Sequence, residues 1–444
     1  MRVGIIGAGL AGLSAGLELA DRGHEVELLE RRPWAGGSTY SFAHDETGDE
    51  VDNGQHVFMQ CTTAYVAFLE RIGTLGLTHR QDRLHVPVFD EDGRRSDLGA
   101  ANLPLGLHLA PALLRYRHLT WRQKARIVRA FLALRLMRRA ERARLDDMTF
   151  EEWLRAHGQS PDTIREFWDF LVIPTLNCRA EESSARQALF VIEEGFQRDP
   201  AAAALGVSGV GLSTLHVDPA VRAIEERGGT LTTRAPIDRI DVDDGRVAAL
   251  VLRGGEQRSF DAYVSALAPW RLLGLLPDEM RGERAFADLA SFEPASILNV
   301  HLWFDQPVAD FAFAAFIRSE VQWVFNRSRA GGDDETHGEH LVVSISAPGE
   351  LFELNREALR DRLLPQLHRA LPASREAKLA HYTVVKEPEA TFVPAPGLRR
   401  PGPRTPLANL YLAGAYTDTG WPATMESAVR SGLMAAAAVE ASSG

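Results

Sequence analysis

MRVGIIGAGLAGLSAGLELADRGHEVELLE, residues 1–30, decides the fold. An apolar strand-like run, Val3–Ile6, leads into Gly7, Gly9 and Gly12 at G-x-G-x-x-G spacing. A helix of small residues (13–20), a turn at Gly23, a second strand (25–29) and an acid, Glu30, follow. Gly7 permits the tight strand-to-helix turn, Gly9 lets backbone approach a pyrophosphate, and Gly12 lets helix and strand pack closely. The helix start, around Ala11, turns free N–H groups and a positive dipole end toward phosphates. Glu30 stands where a carboxylate accepts both hydroxyls of an adenosine ribose. This pattern predicts a dinucleotide-binding α/β unit.

The next residues choose the dinucleotide. After Glu30 come Arg31, Arg32, Pro33, Trp34, Ala35, Gly36, Gly37 and Ser38. This E-x5-G-G arrangement resembles flavoproteins of the amine oxidase and phytoene desaturase type, which implies FAD, with Gly36, Gly37 and the backbone from Arg31 passing the diphosphate. In that family an arginine usually follows the glycine pair; Ser38 stands here instead and removes a cationic phosphate contact. Two later stretches fit the same resemblance. Between 206 and 270, a helix (219–226) ends at Gly228-Gly229 and strands follow at 230–233, 237–242, 246–252 and 262–265, with Ile237 expected against the adenine. Between 409 and 438, a strand (410–413), Gly414 and a small-residue helix (425–437) are expected to close the flavin site. There the N–H groups of Thr424 and Met425 face the isoalloxazine, and the helix dipole favours charge on it. The family's usual Gly-Asp is Gly414-Ala415 here.

The implied architecture is an α/β, Rossmann-like FAD-binding domain interleaved with a mixed α+β substrate domain and a helical cap. Residues 1–85, 206–270 and 406–444 are assigned to FAD binding, 86–205 to the helical cap and 271–405 to a strand-rich substrate domain.

The 444 residues suffice for two or three domains. A net charge of −11 argues against general nucleic-acid binding. Cys61 and Cys178, the two cysteines, have neither disulfide-framework nor metal-ligand spacing, as expected of a reducing, cytoplasmic setting. The first apolar run lacks a basic leader and cleavage site, and no apolar stretch is long enough to span a bilayer. One region reverses the acidic trend: Arg115–Arg144 holds ten arginines and Lys124 against one acid, Glu141, next to the apolar stretch LPLGLHLAPALL at 103–114. It reads either as a basic amphipathic surface for the anionic inner face of the cytoplasmic membrane or as the solvated face of a cap helix.

Four further strings sharpen the resemblance: DNGQH (52–56), LNVHLWFDQPV (298–308), VQWVFNR (321–327) and TDTGWPATMESAVRSG (417–432). They are similar to the hydroxysqualene dehydroxylases, FAD-dependent desaturase-like enzymes of bacterial hopanoid pathways, and the similarity runs nearly end to end. The implied reaction is reductive removal of an allylic hydroxyl to give squalene. It calls for an apolar cavity, a proton donor, a hydride from reduced flavin and an electron donor that no second nucleotide motif identifies.

On this reading Asp52, Gln55 and His56 are candidates for catalysis, and Asn53 and Gly54 for contact with the isoalloxazine edge. Asp52 reads equally as a buried carboxylate bound by backbone, and His56 equally as a core histidine. Asn177, Trp303, Trp323 and Trp421 suit a substrate tunnel wall, although any of the tryptophans could be ordinary core. No metal site is expected. Two other classes stay open: an oxidative carotenoid desaturase or amine oxidase on the same fold, and a non-enzymatic carrier of prenyl lipids.

Overall fold

Five short parallel strands, drawn from three separate stretches of the chain, build the sheet beneath the site. In space they run Thr230–Thr232, Glu25–Leu29, Arg2–Ile6, Ala262–Ser265 and Leu410–Leu412. The computed structural model describes residues 1–103, 107–197, 200–331 and 338–442. A parallel sheet is buried on both faces, which is why Arg2–Ile6, Ala262–Ser265 and Leu410–Leu412 are almost wholly buried, while the edge strand Thr230–Thr232 and its neighbour Glu25–Leu29 keep polar residues. Val3, Ile5, Val26, Leu28 and Val264 pack toward helices, while Ile6, Leu29, Tyr263 and Leu410 pack toward an antiparallel three-stranded sheet built from Ile237–Asp243, Arg246–Leu252 and Gln257–Arg258. The first two of that trio form a hairpin, and Asp244 takes φ +44° at its turn.

Helix Leu10–Asp21 lies across the parallel sheet, and helix Met425–Glu440 lies against it. Both contacts depend on missing side chains. A Cβ on Gly12 would stand 2.0 Å from the carbonyl oxygen of Gly7, and one on Gly432 would stand 2.5 Å from the carbonyl oxygen of Ala11. Ser14 secures the second crossing by donating its hydroxyl to the Val429 carbonyl at 3.0 Å.

A seven-stranded sheet forms the second layer. Its order is Leu379–Phe392, Pro294–Phe304, Glu339–Ser346, Trp323–Asn326, Phe313–Phe316, His85–Phe89 and Arg95–Gly99. The last two strands differ from the expectation that residues 86–205 form a helical cap. Val86 and Val88 are buried in the core beneath the helices, and Phe89 packs into the core on the sheet's other side, so His85–Phe89 pairs in parallel with Phe313–Phe316. Helices begin beyond residue 107: Ala110–Arg115, Trp121–Arg135, Phe150–Ala156, Asp169–Leu176 and Ala185–Ile192. Two of them start on reciprocal capping boxes, Thr120 with Gln123 and Thr149 with Glu152. Pro104, Leu105 and Gly106, within the apolar stretch noted above, lie outside the described residues. Among the described residues no helix is long and apolar enough to cross a membrane.

The glycine contacts make a stability prediction. Gly12→Ala should cost about 3 kcal/mol, the scale of forced overpacking, because its methyl meets a backbone oxygen that cannot retreat. Gly9→Ala should cost less than about 1 kcal/mol, because a Cβ there makes only an ordinary 3.6 Å contact with Gly37. Urea denaturation of both variants measures the difference.

Candidate active site

One cavity of about 950 Å³ runs from the carboxyl ends of the parallel strands to the space between the seven-stranded sheet and helix Asp169–Leu176. Its first end is made of two glycine turns pressed together. Gly7 has φ +100°, Gly36 +118° and Gly37 +59°, and the Gly36 N–H donates to the Ala8 carbonyl at 2.8 Å. Gly9, Ala11, Gly36, Gly37 and Ser38 line the cavity; Gly12 does not, since its bare Cα serves packing alone.

The buried Glu30 carboxylate accepts the N–H groups of Ala8 at 3.1 Å and Arg32 at 2.9 Å. Those two bonds aim it along the wall that also carries Ile237. Ser38 lines the cavity where the family usually has arginine, and two cations stand near it. Arg31 and Arg32 both line the cavity, and Arg32 reaches the Gly37 carbonyl at 3.2 Å with its guanidinium 5.6 Å from the Tyr40 ring.

At mid-length, Asn53, Gly54, Gln55 and His56 face the cavity on one side, and Gly414–Tyr416 and Trp421–Met425 on the other. Thr424 caps helix Met425–Glu440, so the free N–H groups of its first turn open into this space. The loop before the helix is held by a residue that sequence reading passed over. Arg400 donates to the carbonyls of Ala415, Tyr416, Thr417 and Trp421 and to the Ser427 hydroxyl. Burial lowers its pKa to about 10, so it remains a cation at neutral pH. Nothing local marks it, because its partners lie 15–27 residues away along the chain.

Among the described residues, four that line the cavity carry a buried polar atom without a protein partner: Gln55 Nε2 and Trp270 Nε1, both donors, Asn299 Oδ1, an acceptor, and the Tyr416 hydroxyl. Asn299 spends its other amide atom on the Asn53 carbonyl at 3.3 Å. An orphaned donor and an orphaned acceptor, a helix start and a glycine cradle fit the polar edge and diphosphate of a flavin dinucleotide.

The proton-transfer candidates separate on geometry. Asp52 does not line the cavity. It is 2 % exposed, accepts the Ser41 hydroxyl at 2.7 Å and the Leu212 N–H at 2.9 Å, and lies 3.6 Å from the Arg327 guanidinium. Of the two readings open for Asp52, these partners favour the buried structural carboxylate over the catalytic one. His56 does line the cavity. Its Nδ1 hydrogen-bonds the Gly54 carbonyl at 3.0 Å, and a carbonyl only accepts, so Nδ1 carries the proton. Burial lowers the pKa of His56, which leaves Nε2 as a bare acceptor.

The acid that sequence reading missed is Glu387, on strand Leu379–Phe392 opposite Ile297. It lines the cavity, and burial raises its carboxyl above the ordinary carboxylate range. Tyr40 donates its hydroxyl to it at 3.4 Å. Two neighbouring carboxylates are already committed: Glu389 to Arg271 at 2.8 Å, and Glu426 to the N–H groups of Ala64 and Tyr65 and to Arg430. Cys61, also at the cavity, is pushed up to about 11 by burial and Cys178 to about 12, so neither is a thiolate nucleophile at neutral pH.

The far end is apolar. Trp323 stacks on Phe170 with ring centroids 5.8 Å apart, and Trp421 meets Phe190 edge-on at 5.2 Å. Phe325, Leu171 and Pro174 continue the wall. Asn177 lines it too, but with φ +52° it also ties the end of helix Asp169–Leu176 to the sheet, donating to the Ser296 carbonyl and accepting the Ala347 N–H. Trp303 is the misplaced member. The hairpin Ser41–Ala43/Glu50–Asp52 and the turn that joins its strands cover that end of the sheet. There Trp303 stacks between His44 and His340 and donates to Asp49 at 2.6 Å, away from the cavity.

A profile described as flavin containing amine oxidoreductase matches residues 10–440. The chain is 29% identical to the 15-cis-phytoene desaturase of Synechococcus elongatus, covering 99% of this chain and 96% of that one. It is 28% identical to the zeta-carotene desaturase of Synechocystis, covering 99% and 97%. Among solved structures it is similar to putrescine oxidase bound to putrescine (TM-score 0.75, 17% identity, 99% of each chain). It is also similar to cyclohexylamine oxidase from Brevibacterium oxydans (TM-score 0.72, 19% identity, 100% and 99%). FAD is the cofactor. With the profile matched from the first helix to the last, the chain belongs to the flavin-containing amine oxidoreductase family.

Proposed function

We propose that this FAD-dependent oxidoreductase acts on a long isoprenoid and reductively removes its allylic hydroxyl, as the resemblance to hydroxysqualene dehydroxylases implies. The observation that carries the reading is a carboxyl held toward its protonated form, Glu387, in the same cavity as a long aromatic and aliphatic wall. Trp323, Phe325 and Leu171 take an apolar chain out of water. The Glu387 carboxyl gives its proton to the hydroxyl, the C–O bond breaks and water departs. The ring faces of Trp323 and Phe170 stabilise the positive charge left on the allylic carbons. Reduced FAD, when bound, supplies the hydride that takes the place of the hydroxyl. Gln55, Asn299 and the N–H groups of Thr424 and Met425 are the residues we assign to the flavin's polar edge, and Gly9, Glu30, Arg31, Arg32, Gly36 and Gly37 those we assign to its adenosine diphosphate.

A second reading, desaturation of a carotenoid precursor, draws on the phytoene and zeta-carotene desaturase relatives and on one feature of the site. The bare Nε2 of His56 is an acceptor that could take the proton such a reaction releases. Anaerobic incubation separates the two. Photoreduced enzyme with hydroxysqualene should yield squalene, detected by mass spectrometry, as the flavin reoxidises. Absence of squalene, together with flavin bleaching when oxidised enzyme meets phytoene, would overturn the first reading.

Three variants test the assignments. Glu387→Gln should retain FAD and slow single-turnover dehydroxylation by about 10²–10³-fold, the usual worth of a general acid. In the wild type the rate should fall as pH rises through the raised pKa of Glu387, and this limb should vanish in Glu387→Gln. Asp52→Asn should lower the melting temperature and leave the pH profile unmoved, since its partners are structural. Gly9→Val should fold, by circular dichroism, yet show no flavin absorbance, because the added methyls enter the path of the diphosphate.

A further inference from the structure

An amphipathic helix in a folded protein normally buries one apolar stripe and turns polar residues outward. Helix Trp121–Arg135 has two apolar stripes. Ile127, Ala130 and Leu134 are fully buried in the cap core. On the opposite side Trp121, Ala125, Val128 and Leu132 are exposed at spacings of four, three and four, and Leu136 continues the line. The exposure is large: Trp121 is 69 % exposed and Leu136 78 %. Leu114 joins the row at its start, because Lys124 donates to the Leu114 carbonyl at 2.7 Å and lies 4.6 Å from the Trp121 ring. Among the described residues, seven of the ten large apolar side chains found exposed fall between Leu103 and Leu136.

Arginines flank this outer stripe. Arg122, Arg126 and Arg129 lie along one edge of it and Arg135 along the other, all exposed. Arg122, Arg126 and Arg129 have no carboxylate partner among the described residues, whereas Arg142 further along is paired with Glu193. In a chain of net charge −11, a cationic strip around an apolar seam is matched by one kind of partner. We propose that the outer face of helix Trp121–Arg135, extended by Leu114 and Leu136, seats the protein on an anionic phospholipid surface, with the apolar seam among the acyl chains and the arginines at the phosphates. A second copy of the chain is a poor partner for this face, since a two-fold contact would bring arginine against arginine.

The face also lies close to the cavity. Phe131, between the two stripes, packs on Trp168 at 5.3 Å and Phe167 at 6.5 Å, and Phe170 and Leu171 immediately beyond them line the cavity. The proposal does not rest on the identity of the substrate.

Sedimentation of the flavin-loaded, full-length protein with vesicles tests it without reading turnover, so failure of the substrate reading leaves the result intact. Phosphatidylcholine vesicles containing about one-third phosphatidylglycerol should carry the protein down, pure phosphatidylcholine far less, and raising salt to about 0.5 M should release it. Leu132→Ser with Leu136→Ser, at exposed positions where folding is unaffected, should reduce partitioning about tenfold. Arg122→Gln with Arg126→Gln and Arg129→Gln should reduce it at least about tenfold and remove most of the salt dependence. Wild-type protein left in the supernatant, variants that sediment like wild type, or a dimer in light scattering that the Leu132→Ser, Leu136→Ser variant abolishes would each overturn the proposal.

Discussion

The carbonyl oxygen of Gly7 occupies the space in which any other residue at position 12 would carry its Cβ. That contact sets how deeply helix Leu10–Asp21 seats on the parallel sheet, and much else follows from it. With the helix seated, its free N–H groups open at the strand ends, and its far side lies low enough for Gly432 to come against the Ala11 carbonyl. Helix Met425–Glu440 then begins at the same cavity from the opposite side. The two walls of the cofactor site are thus positioned by backbone against backbone, the least compressible contact a protein has.

The charge layout of the cavity follows its length. Arg31 and Arg32 stand at one end, where phosphates are expected, and Arg400 lies behind the loop at the other side of the middle section. Between them, burial holds two side chains of the lining away from charge. The His56 imidazole is lowered and the Glu387 carboxyl is raised. Such an interior accepts an apolar chain while keeping a dissociable proton at one place, because desolvation costs a charge far more than it costs a neutral acid.

What the sequence disclosed divides along a physical line. The dinucleotide half was legible because its demands are local: glycines at fixed spacing, a strand that is apolar throughout, an acid at the strand's end. The expected strand at 246–252 is found at those residues, and the last helix runs Met425–Glu440 with its start as read. Residues whose roles arise from distant partners were not legible. Arg400 and Glu387 belong to no motif, Asn299 stood unremarked inside the 298–308 string, and all three acquire meaning only when segments far apart in sequence are laid side by side. Trp303 was misjudged for a related reason. Alternation along a strand tells which face a side chain takes, not whether a hairpin from residues 41–52 will cover that part of the face. Strands His85–Phe89 and Arg95–Gly99 were absorbed into an expected helical cap because the basic helices after them dominate the pattern.

The sheet's threading has a consequence for how the molecule forms. Its central strands, Arg2–Ile6 and Ala262–Ser265, are some 260 residues apart, and Leu410–Leu412 enters later still. Loop-closure entropy must be met before any of these pairings is rewarded, so this half is expected to fold slowly and late. During synthesis the amino-terminal strand waits, paired on one side only, until Ala262–Ser265 emerges, and that strand in turn waits for Leu410–Leu412. The interval leaves apolar strand edges open to aggregation or to a chaperone's grip. For a protein built this way, yield in a foreign host is governed as much by the pace of that waiting period as by the stability of the finished fold.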